Sequence, residues 1–290
     1  MVYGLVGLKT HSKTVLVLRR EEDGIRRYCH VGTGNYNSKT ARIYEDLGLL
    51  TADPDIGADV GDLFNYLTGF SRHTGYRQIL VSPVTLRRRI LDMIEEQTEA
   101  GPGGRIVMKL NGLTDPEMID ALYRASAAGV PIDLAVRGLC CLRPGIPELS
   151  ETIRVRSVVG EFLEHSRIYR FGGSPDDAPH TGNGHRSSGD GLPLSLLIGS
   201  ADLMERNLDR RIEVLVPVRD RELQARLLEI LDLVFADDSN AWVLGADKRW
   251  RRLPTRRGIS AQRRLKELAV ERARRRREVE PRPSGRSRPD

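Results

Sequence analysis

Apolar residues along this chain follow two patterns, short continuous runs and positions spaced three or four apart, and each pattern predicts a different element. Short apolar runs predict β-strands at 2–8, 14–18, 78–83, 106–110, 132–136, 168–171 and 211–218. Helical spacing predicts helices at 37–50, 56–68, 85–98, 115–128 and 221–235. Because strands alternate with helices, we expect an α/β fold with parallel or mixed sheets flanked by helices.

Two polar stretches interrupt this alternation and indicate how the chain is organised. The first, at 68–77, lies between two halves of the predicted fold. The second, at 172–193, is rich in Gly, Ser, Asp and Pro and has little to bury, so it predicts an inserted surface loop. His180 and His185 lie in this loop, and we assign them no role. The core is expected to end near Trp250.

One short motif occurs twice: a histidine, a serine and a cation are followed by an apolar strand and then by a glycine turn. The first copy comprises His11-Ser12-Lys13, the strand at 14–18 and the turn at 32–35, and the second comprises His165-Ser166-Arg167, the strand at 168–171 and the turn at 199–202. Residues two apart share a face of a strand, so each histidine lies beside its cation. Cations and the N–H groups of glycine turns bind phosphate oxygens, and an imidazole attacks phosphorus or transfers a proton near neutral pH. The repeat therefore predicts one phosphate site with two histidines.

The composition is that of a globular protein with room for two domains, since 39% of the 290 residues are apolar. The sequence contains no run of about 18 apolar residues and no secretory signal pattern, so we expect a cytoplasmic protein. Cys29, Cys140 and Cys141 lack the spacing of metal ligands, and two of them are adjacent. We therefore expect reduced thiols rather than a zinc site or a disulfide framework.

Positive charge is concentrated towards the C-terminus. From Lys248 to Asp290 there are 17 Lys or Arg and 5 Asp or Glu, a local net charge of +12, whereas the whole chain carries +6. Such a segment binds nucleic acid, an acidic membrane surface or another polyanion, or is simply solvated. We expect a basic, largely disordered tail at 251–290, and peripheral association with a membrane stays open.

The second glycine turn belongs to a longer motif. It runs from Gly199 to Asn207 and continues at Arg211-Ile212-Glu213. Together with the paired histidine motifs, it resembles the second half-site of the phospholipase D superfamily. Phosphodiesterases of that superfamily usually carry an Asp six residues after the histidine, where this sequence has Val17 and Phe171. This departure disfavours hydrolysis of lipid or nucleic-acid phosphodiesters.

Motifs from residue 2 to about 250 are similar to a second family. They are Gly7-Leu8-Lys9-Thr10-His11-Ser12-Lys13, His30-Val31-Gly32-Thr33-Gly34-Asn35-Tyr36-Asn37, Thr40-Ala41-Arg42-Ile43-Tyr44, Leu49-Leu50-Thr51-Ala52-Asp53, Leu80-Val81-Ser82-Pro83, Gly129-Val130-Pro131, Val136-Arg137-Gly138 and Phe162-Leu163-Glu164-His165-Ser166-Arg167-Ile168-Tyr169. In this order and spacing they resemble the C-terminal half of the type-1 polyphosphate kinases. That resemblance implies two phospholipase-D-like domains, a truncated one at 1–71 and a second one at 72–250.

The resemblance implies ATP-dependent, reversible transfer of a terminal phosphoryl group to inorganic polyphosphate through a phosphohistidine. By motif position, His11 would be the phosphorylated nucleophile and Tyr44 would stack on the nucleotide base. Arg137 and His165 would contact the nucleotide phosphates, and His165 would also act as a general acid or base. From the residues alone, Tyr44 could instead pack on a helix, and Arg137 could instead form a salt bridge at a strand end.

Further cations extend the predicted phosphate site. Lys13 and Arg167 are additional candidate phosphate ligands, because each lies two residues from a motif histidine. Arg206, Arg210 and Arg211 follow the second glycine turn and face either polyphosphate or solvent.

The resemblance also implies partners and parts beyond these residues. The family uses Mg²⁺, with its metal-site arginines and an ATP-binding Asn upstream of the motifs found here, so we expect no metal ligands in this chain. The implied partners are ATP or ADP, inorganic polyphosphate, a separately encoded N-terminal piece and a second copy in a homo-oligomer. We expect the chain to be inactive alone. A phospholipase-D-like phosphodiesterase and a non-catalytic, polyanion-binding remnant are the alternatives.

Overall fold

The computed structural model describes residues 4–69, 75–173 and 192–279. His180 and His185 lie outside the described residues, as does most of the predicted inserted loop. The described helices include none that is long and apolar enough to cross a membrane.

The first half of the structure begins with a two-residue strand and continues into a small antiparallel sheet. Its elements are β1 (Lys9–Thr10), β2 (Lys13–Glu21), β3 (Gly24–Gly32), β4 (Tyr44–Glu45), β5 (Gly48–Thr51) and helix α1 (Pro54–Leu67). Strands β2, β3 and β5 form the three-stranded sheet. Helix α1 begins where Asp53 accepts hydrogen bonds from the N–H groups of Asp55 and Ile56, as expected of an N-cap.

The second half of the structure contains ten strands, and nine of them belong to one ten-stranded sheet. Its strands are β6 (Leu80–Ser82), β7 (Ile106–Leu110), β8 (Ile132–Val136), β9 (Ile153–Val158), β10 (Leu163–Glu164), β11 (Ile168–Phe171), β12 (Ser195–Gly199), β13 (Arg211–Pro217), β14 (Ala241–Leu244) and β15 (Trp250–Arg252). Its helices are α2 (Leu86–Ala100), α3 (Pro116–Ala127), α4 (Glu205–Asp209), α5 (Arg221–Ala236) and α6 (Ala261–Val279). The order of the ten-stranded sheet is β1-β13-β12-β11-β7-β8-β9-β14-β15, and β6 also pairs with β13. Strand β1 of the first half is thus its tenth strand, and β10 pairs with β4 outside this sheet.

Parallel and antiparallel pairs occur together in this sheet, and helices cover both of its faces. Strands β7, β8 and β9 are parallel, whereas β11, β12 and β13 are antiparallel. On β11, Tyr169 and Phe171 pack in the same apolar cluster as Ile90 of α2, and Ile168 packs in the cluster that contains Leu231 of α5. Neighbouring residues of one strand thus face opposite helical layers. The predicted α/β class with mixed sheets flanked by helices is confirmed.

The two halves repeat one arrangement of strands. In each half, the strand after the histidine motif pairs antiparallel with the strand that ends at the turn glycine, and that strand pairs antiparallel with a third. The three strands are β2, β3 and β5 in the first half and β11, β12 and β13 in the second. Helix α1 or α5 follows the third strand. Before its histidine, the second half also has β6 to β9, α2 and α3, and residues 4–69 contain no counterpart of these.

Two predicted elements of the first half are wrong. The chain is not helical at 37–50: it forms one 3₁₀ turn (Thr40–Arg42) and then β4 and β5. Strand β4 pairs with β10 and β5 pairs with β3, so partners distant in sequence outweigh the local spacing of apolar residues. The predicted strand at 2–8 is a turn in its described part, where Gly4 and Gly7 both have a φ of 83°.

The predicted disorder at 251–290 is wrong for the nineteen residues that form α6. This helix packs against α5, and the core, expected to end near Trp250, includes Ala261. The N–H group of Ala261 donates to Asp237 Oδ2 at 2.7 Å and fixes the start of the helix. Because α6 has few apolar residues, hydrophobic spacing does not predict it. The three cysteines are free thiols, as expected.

Gln262 joins α6 to the segment before the second histidine motif. Its Nε2 donates to the Phe162 carbonyl at 2.8 Å and to Glu164 Oε1 at 2.7 Å, and its Oε1 accepts from the Phe162 N–H at 2.9 Å. The side chain is buried. A Cβ at Gly160 would lie 2.4 Å from Gln262 Oε1, so a larger residue there would push the Gln262 side chain out of this position. Helix α6 therefore holds β10 in place.

Gln262→Ala is expected to lower the free energy of unfolding by about 1–3 kcal/mol, because polar groups of Phe162 and Glu164 lose their buried partner. Urea denaturation monitored by circular dichroism measures the change. Arg263→Ala alters the exposed neighbour and is the control, expected to shift stability by no more than about 0.5 kcal/mol. Equal stability of the two variants would contradict the role given to Gln262.

Candidate active site

The two histidine motifs meet at a junction that both halves build. Strand β1, which leads to His11, pairs in parallel with the start of β13 in the second half. Strand β10, which leads to His165, pairs in parallel with β4 in the first half. Each histidine therefore lies next to a strand of the opposite half.

His11 receives a carboxylate from the second half. Its Nδ1 lies 2.9 Å from Glu213 Oε2, and the Glu213 side chain is fully buried. Asn207 Nδ2 donates to the other carboxylate oxygen at 2.7 Å and holds it in place. Because a carboxylate only accepts hydrogen bonds, this contact assigns the proton to Nδ1 of His11 and leaves a lone pair on Nε2.

His165 receives its carboxylate from the first half. Its Nδ1 lies 2.7 Å from Asp46 Oδ1, and Thr33 Oγ1 donates to the same oxygen at 2.7 Å. Each half thus orients the histidine of the other half.

Neither carboxylate is among the residues that the sequence predicted for the site. The repeat nevertheless contains a signal for both. Asp46 lies fourteen residues after the turn glycine Gly32, and Glu213 lies fourteen residues after Gly199. The acidic residues of this site therefore follow the glycine turns rather than the histidines.

Arg167 is buried, and its guanidinium is bonded on both edges. Its Nε and one terminal nitrogen donate to Asp202 at 3.2 and 2.9 Å. Its other terminal nitrogen donates to the His165 carbonyl at 2.7 Å and to the Thr33 carbonyl at 3.3 Å, and it lies 3.2 Å from His165 Nε2. Because a guanidinium cannot accept a hydrogen bond, Nε2 of His165 is the acceptor wherever this contact is a hydrogen bond. Arg167 lies at the predicted site, and its phosphate contact stays a prediction.

The charge state of His165 follows from its surroundings. Burial lowers the pKa of His165 below its ordinary value; the hydrogen bond to Asp46 opposes this shift, and the positive charges of Arg167 and Arg137 increase it. The ring is therefore neutral at pH 7, with Nδ1–H donating to Asp46 and Nε2 accepting from Arg167. In this state His165 is a base rather than an acid.

Lys13 is a buried cation beside His11. Only 4% of the residue is exposed, and its ammonium group donates to the His11 carbonyl. Burial lowers the pKa of Lys13 to about 8; the charge of Glu213 opposes this shift, and the charge of Arg167 increases it. The ammonium is therefore protonated at pH 7 and loses its charge near pH 8, well below the pH at which a lysine in water loses it.

Tyr44 and Arg137 both lie at the second histidine. The rings of Tyr44 and His165 have centroids 4.7 Å apart and are inclined at 46°. Arg137 Nε donates to Asn111 Oδ1 at 2.9 Å, and Asn111 Nδ2 donates to the His165 carbonyl at 3.3 Å. The structure brings the two predicted nucleotide-binding residues together, and their contacts with a nucleotide stay predictions.

The three arginines after the second glycine turn occupy different positions. Arg211 lies 4.0 Å from Glu213 Oε1 and belongs to the network around His11. Arg210 is exposed and pairs with a surface glutamate at 2.8 Å, and Arg206 is exposed and lies 3.7 Å from a methionine sulfur.

A buried ion-pair network that the sequence did not predict connects the halves next to His165. Lys109 Nζ lies 2.9 Å from Glu45 Oε2, 2.8 Å from Glu164 Oε2 and 2.7 Å from Ser166 Oγ. Burial opposes ionisation here, yet the two carboxylates raise the pKa of Lys109, and Lys109 lowers the pKa of Glu45. Because Glu45 belongs to the first half, the network fixes how the halves meet.

The carboxylates around the two histidines do not fit a magnesium site of their own. Glu213 and Asp46 are each bonded to a histidine, and Asp202 is bonded to an arginine. Among the described residues, no cluster of three His, Cys, Asp or Glu could hold a metal ion. Mg²⁺ is bound through free carboxylate, phosphate and water oxygens, which these paired groups do not offer.

Comparison with known protein families shows which family the chain belongs to. The family model for polyphosphate kinase C-terminal domain 2 matches residues 79–184 and 191–263, and the model for C-terminal domain 1 matches residues 1–73. The chain belongs to the polyphosphate kinase family. The resemblance inferred from the motifs is confirmed.

The polyphosphate kinases that match the chain are considerably longer than it is. The polyphosphate kinase of Mycolicibacterium gilvum is 52% identical over 257 residues, which are 88% of this chain and 33% of the relative. The crystal structure of polyphosphate kinase from Porphyromonas gingivalis matches with a TM-score of 0.82 and 35% identity, over 94% of this chain and 41% of that one. The phospholipase D family member Nuc from Salmonella typhimurium matches 61% of this chain with a TM-score of 0.39 and 16% identity. This chain spans about a third of the length of its curated relative.

The ammonium group of Lys13 is expected to titrate near pH 8, because burial lowers its pKa to about that value. An NMR titration of the lysine side-chain carbons measures it, and Lys13→Arg identifies the signal by removing it. Lys39→Arg, which alters an exposed lysine of the same half, is the matched control and should leave the Lys13 signal in place. A Lys13 pKa near the value of a lysine in water, about 10.4, would contradict the burial of its ammonium group.

Proposed function

We propose that this chain carries the phosphoryl-transfer centre of a polyphosphate kinase, which moves the terminal phosphoryl group of ATP reversibly to inorganic polyphosphate through a phosphohistidine at His11. The observation that carries this proposal is the exchange of carboxylates, in which Glu213 lies 2.9 Å from His11 and Asp46 lies 2.7 Å from His165. An imidazole with a fixed tautomer beside the buried cation of Lys13 suits attack on an anionic phosphorus.

The transfer takes place in two displacement steps. In the first step, the lone pair of His11 Nε2 attacks the terminal phosphorus of ATP; a P–N bond forms, the P–O bond to ADP breaks, and ADP leaves with the electron pair. In the second step, a terminal oxygen of polyphosphate attacks the same phosphorus, and the P–N electron pair returns to Nε2. The proton on Nδ1 stays hydrogen-bonded to Glu213, which offsets the positive charge of the substituted ring.

His165 supports these steps from the second half. Because its ring is neutral at pH 7, His165 is proposed to take a proton at Nε2 from an incoming terminal phosphate that displaces Arg167 from this nitrogen, and to return the proton when the reaction runs backwards. The displaced terminal nitrogen of Arg167, 3.2 Å from Nε2 in the structure, would then donate to a phosphate oxygen. His165 is therefore proposed as a general base that becomes a general acid in the reverse direction.

The nucleotide is proposed to bind on the side of His165 where Tyr44 and Arg137 lie. The Tyr44 ring lies against the His165 ring, with centroids 4.7 Å apart and an inclination of 46°, and a nucleotide base is proposed to stack on the Tyr44 ring. Arg137 has a guanidinium anchored at Nε by Asn111, and its terminal nitrogens are proposed to bind the nucleotide phosphates. ATP is thus a substrate here, and Mg²⁺ is assigned to no residue of this chain.

The two alternative functions have less support. A phosphodiesterase of the phospholipase D type would carry an acidic residue at the positions that Val17 and Phe171 occupy here. Phe171 is buried in the apolar core. A polyanion-binding surface on α6 would need free cations, yet Arg264 pairs with Glu267 at 3.1 Å and Arg272 pairs with an α5 glutamate at 3.0 Å.

We further propose that the chain does not synthesise polyphosphate alone. Lys109 of β7, Asn111 directly after β7 and Arg137 directly after β8 support the segment that contains His165. The described residues of the first half contain no counterpart of β7 or β8, so His11 lacks equivalent support. ATP and Mg²⁺ should therefore give no labelled protein with the purified chain; base-stable, acid-labile label that is lost in His11→Ala would overturn this part of the proposal.

A chimera tests the chemistry of this chain separately from the question of whether the chain is active by itself. The segment of the Mycolicibacterium gilvum polyphosphate kinase that matches this chain is replaced by the chain itself, and the protein is incubated with ATP labelled in the terminal phosphate. We expect acid-labile, base-stable label and labelled polyphosphate. His11→Ala should abolish both, whereas His30→Ala, which removes a histidine bonded to Tyr36 outside the histidine motifs, should keep both. Label that persists in His11→Ala would exclude the proposed nucleophile.

Glu213→Gln in the same chimera is expected to slow phosphoryl transfer by about 10²–10⁴-fold, because the amide no longer fixes the His11 tautomer or offsets the charge on the ring. Single-turnover labelling measures the rate. Glu205→Gln is the matched control, since the Glu205 side chain is 62% exposed and pairs with the exposed Arg210 at 2.8 Å. A Glu213→Gln rate within about twofold of the control would count against the role of the carboxylate.

A further inference from the structure

Two glutamates of the buried junction face each other across paired strands. In the register of β10 with β4, Glu164 lies directly opposite Glu45. Like charges in this position destabilise a strand pair. Lys109 Nζ lies between them, 2.8 Å from the Glu164 carboxylate and 2.9 Å from the Glu45 carboxylate. One cation therefore serves two carboxylates, and the second negative charge needs neutral donors.

Each of the two glutamates has one such neutral donor. Ser166 Oγ donates to Glu45 Oε2 at 2.7 Å. Gln262 Nε2, on helix α6, donates to Glu164 Oε1 at 2.7 Å. Both donors are buried, and a hydrogen bond from a neutral donor stabilises a carboxylate where water is excluded. Gln262 is thus the contribution of α6 to the network around Lys109.

The residues that follow the two glutamates form the pair that orients the second histidine. Asp46 follows Glu45, His165 follows Glu164, and Asp46 Oδ1 lies 2.7 Å from His165 Nδ1. Strands β4 and β10 are two residues long and form a two-stranded sheet of their own. So short a pair has few backbone hydrogen bonds to hold its register. The side-chain network therefore fixes the register that brings the histidine to its carboxylate.

We propose that Gln262 is a positioning residue for His165 and acts through Glu164. A stabilised Glu164 carboxylate keeps β10 against β4, and the His165 ring then stays at Asp46 with its proton on Nδ1. This role goes beyond the docking of α6, because it makes the helix a condition for the tautomer of the ring. The effect on catalysis rests on the proposed function of His165 as a base, whereas the effect on the ring does not.

The tautomer of His165 tests this role in the full chain without any substrate. Nitrogen-15 NMR of the histidine rings at pH 7 distinguishes a proton on Nδ1 from one on Nε2, and His165→Gln assigns the signal by removing it. Gln262→Met keeps the length of the side chain but removes the donor, so we expect the single Nδ1–H form to give way to a mixture of tautomers. Gln224→Met is the matched control, since Gln224 lies on α5 and donates to a main-chain carbonyl at 2.9 Å. The control should keep the Nδ1–H form.

A second substitution separates this role from the docking of α6 alone. Glu164→Gln removes the charge that Gln262 is proposed to stabilise, and it leaves Lys109 and Glu45 as a one-to-one ion pair. The double variant Glu164→Gln, Gln262→Met should therefore regain the Nδ1–H form of the ring. If Gln262 only held α6 against the main chain of Phe162, the second substitution would restore nothing.

The consequence for the reaction is measured in the chimera with the Mycolicibacterium gilvum polyphosphate kinase. Gln262→Met is expected to slow single-turnover labelling about tenfold relative to Gln224→Met. The reason is that a positioned general base contributes about 10²–10⁴-fold, and a ring of mixed tautomer loses part of that contribution. A rate within about twofold of the control would reject the effect on catalysis. Circular dichroism checks the fold, and Gln262→Ala, which removes the donor without adding bulk, replaces Gln262→Met if the latter does not fold.

Three results would overturn the proposal: a mixture of His165 tautomers in the unchanged chain, a single Nδ1–H form in Gln262→Met, or a double variant whose ring is as mixed as that of Gln262→Met. The ring measurement needs no phosphoryl transfer. A tautomer that depends on Gln262, combined with a chimera that forms no phosphohistidine, would reject the proposed function and keep the positioning role. A phosphohistidine in the chimera together with a tautomer independent of Gln262 would do the opposite.

Discussion

Each active-site histidine takes its carboxylate partner from the opposite half of the molecule, and the rest of the site depends on that exchange. Glu213 can reach His11 only because β1 pairs with β13, and Asp46 can reach His165 only because β4 pairs with β10. The buried ion pairs of Lys109 reinforce the same junction, since removing one partner would leave a charge buried without compensation. The site therefore forms only when the two halves are correctly docked.

The site is symmetric in its innermost contacts and asymmetric in the groups that support them. Both histidines have a carboxylate at Nδ1 and a buried cation two residues away. Only the second histidine is also supported by residues that follow earlier strands of its own half. Asn111 donates a hydrogen bond to the His165 carbonyl, and Arg137 donates one to Asn111. The ring contacts differ as well: Nε2 of His165 lies 3.2 Å from Arg167, whereas the ring contact found for His11 is made by Nδ1 with Glu213.

Elements whose pattern lies within their own residues were predictable from the sequence. Strands β7 and β8 and helices α2 and α3 bury one side or both, and their apolar spacing records that burial. Strands β4 and β5 were missed because their partners are remote, and α6 was missed because its docking depends on Gln262 rather than on an apolar stripe. At the site, each histidine and its cation are close in the sequence, and both were predicted. Asp46 and Glu213 were not predicted, because they are remote in sequence from the histidines and only the fold brings them together.

Lys13, which begins β2, connects the first half to the chemistry proposed for the site. Burial lowers its pKa to about 8, so the ammonium form is less favoured than it is for a lysine in water. A phosphate group beside the ammonium acts in the opposite direction, since a nearby negative charge favours the charged form. In the proposed reaction, a bound phosphate therefore stabilises the charge that burial disfavours.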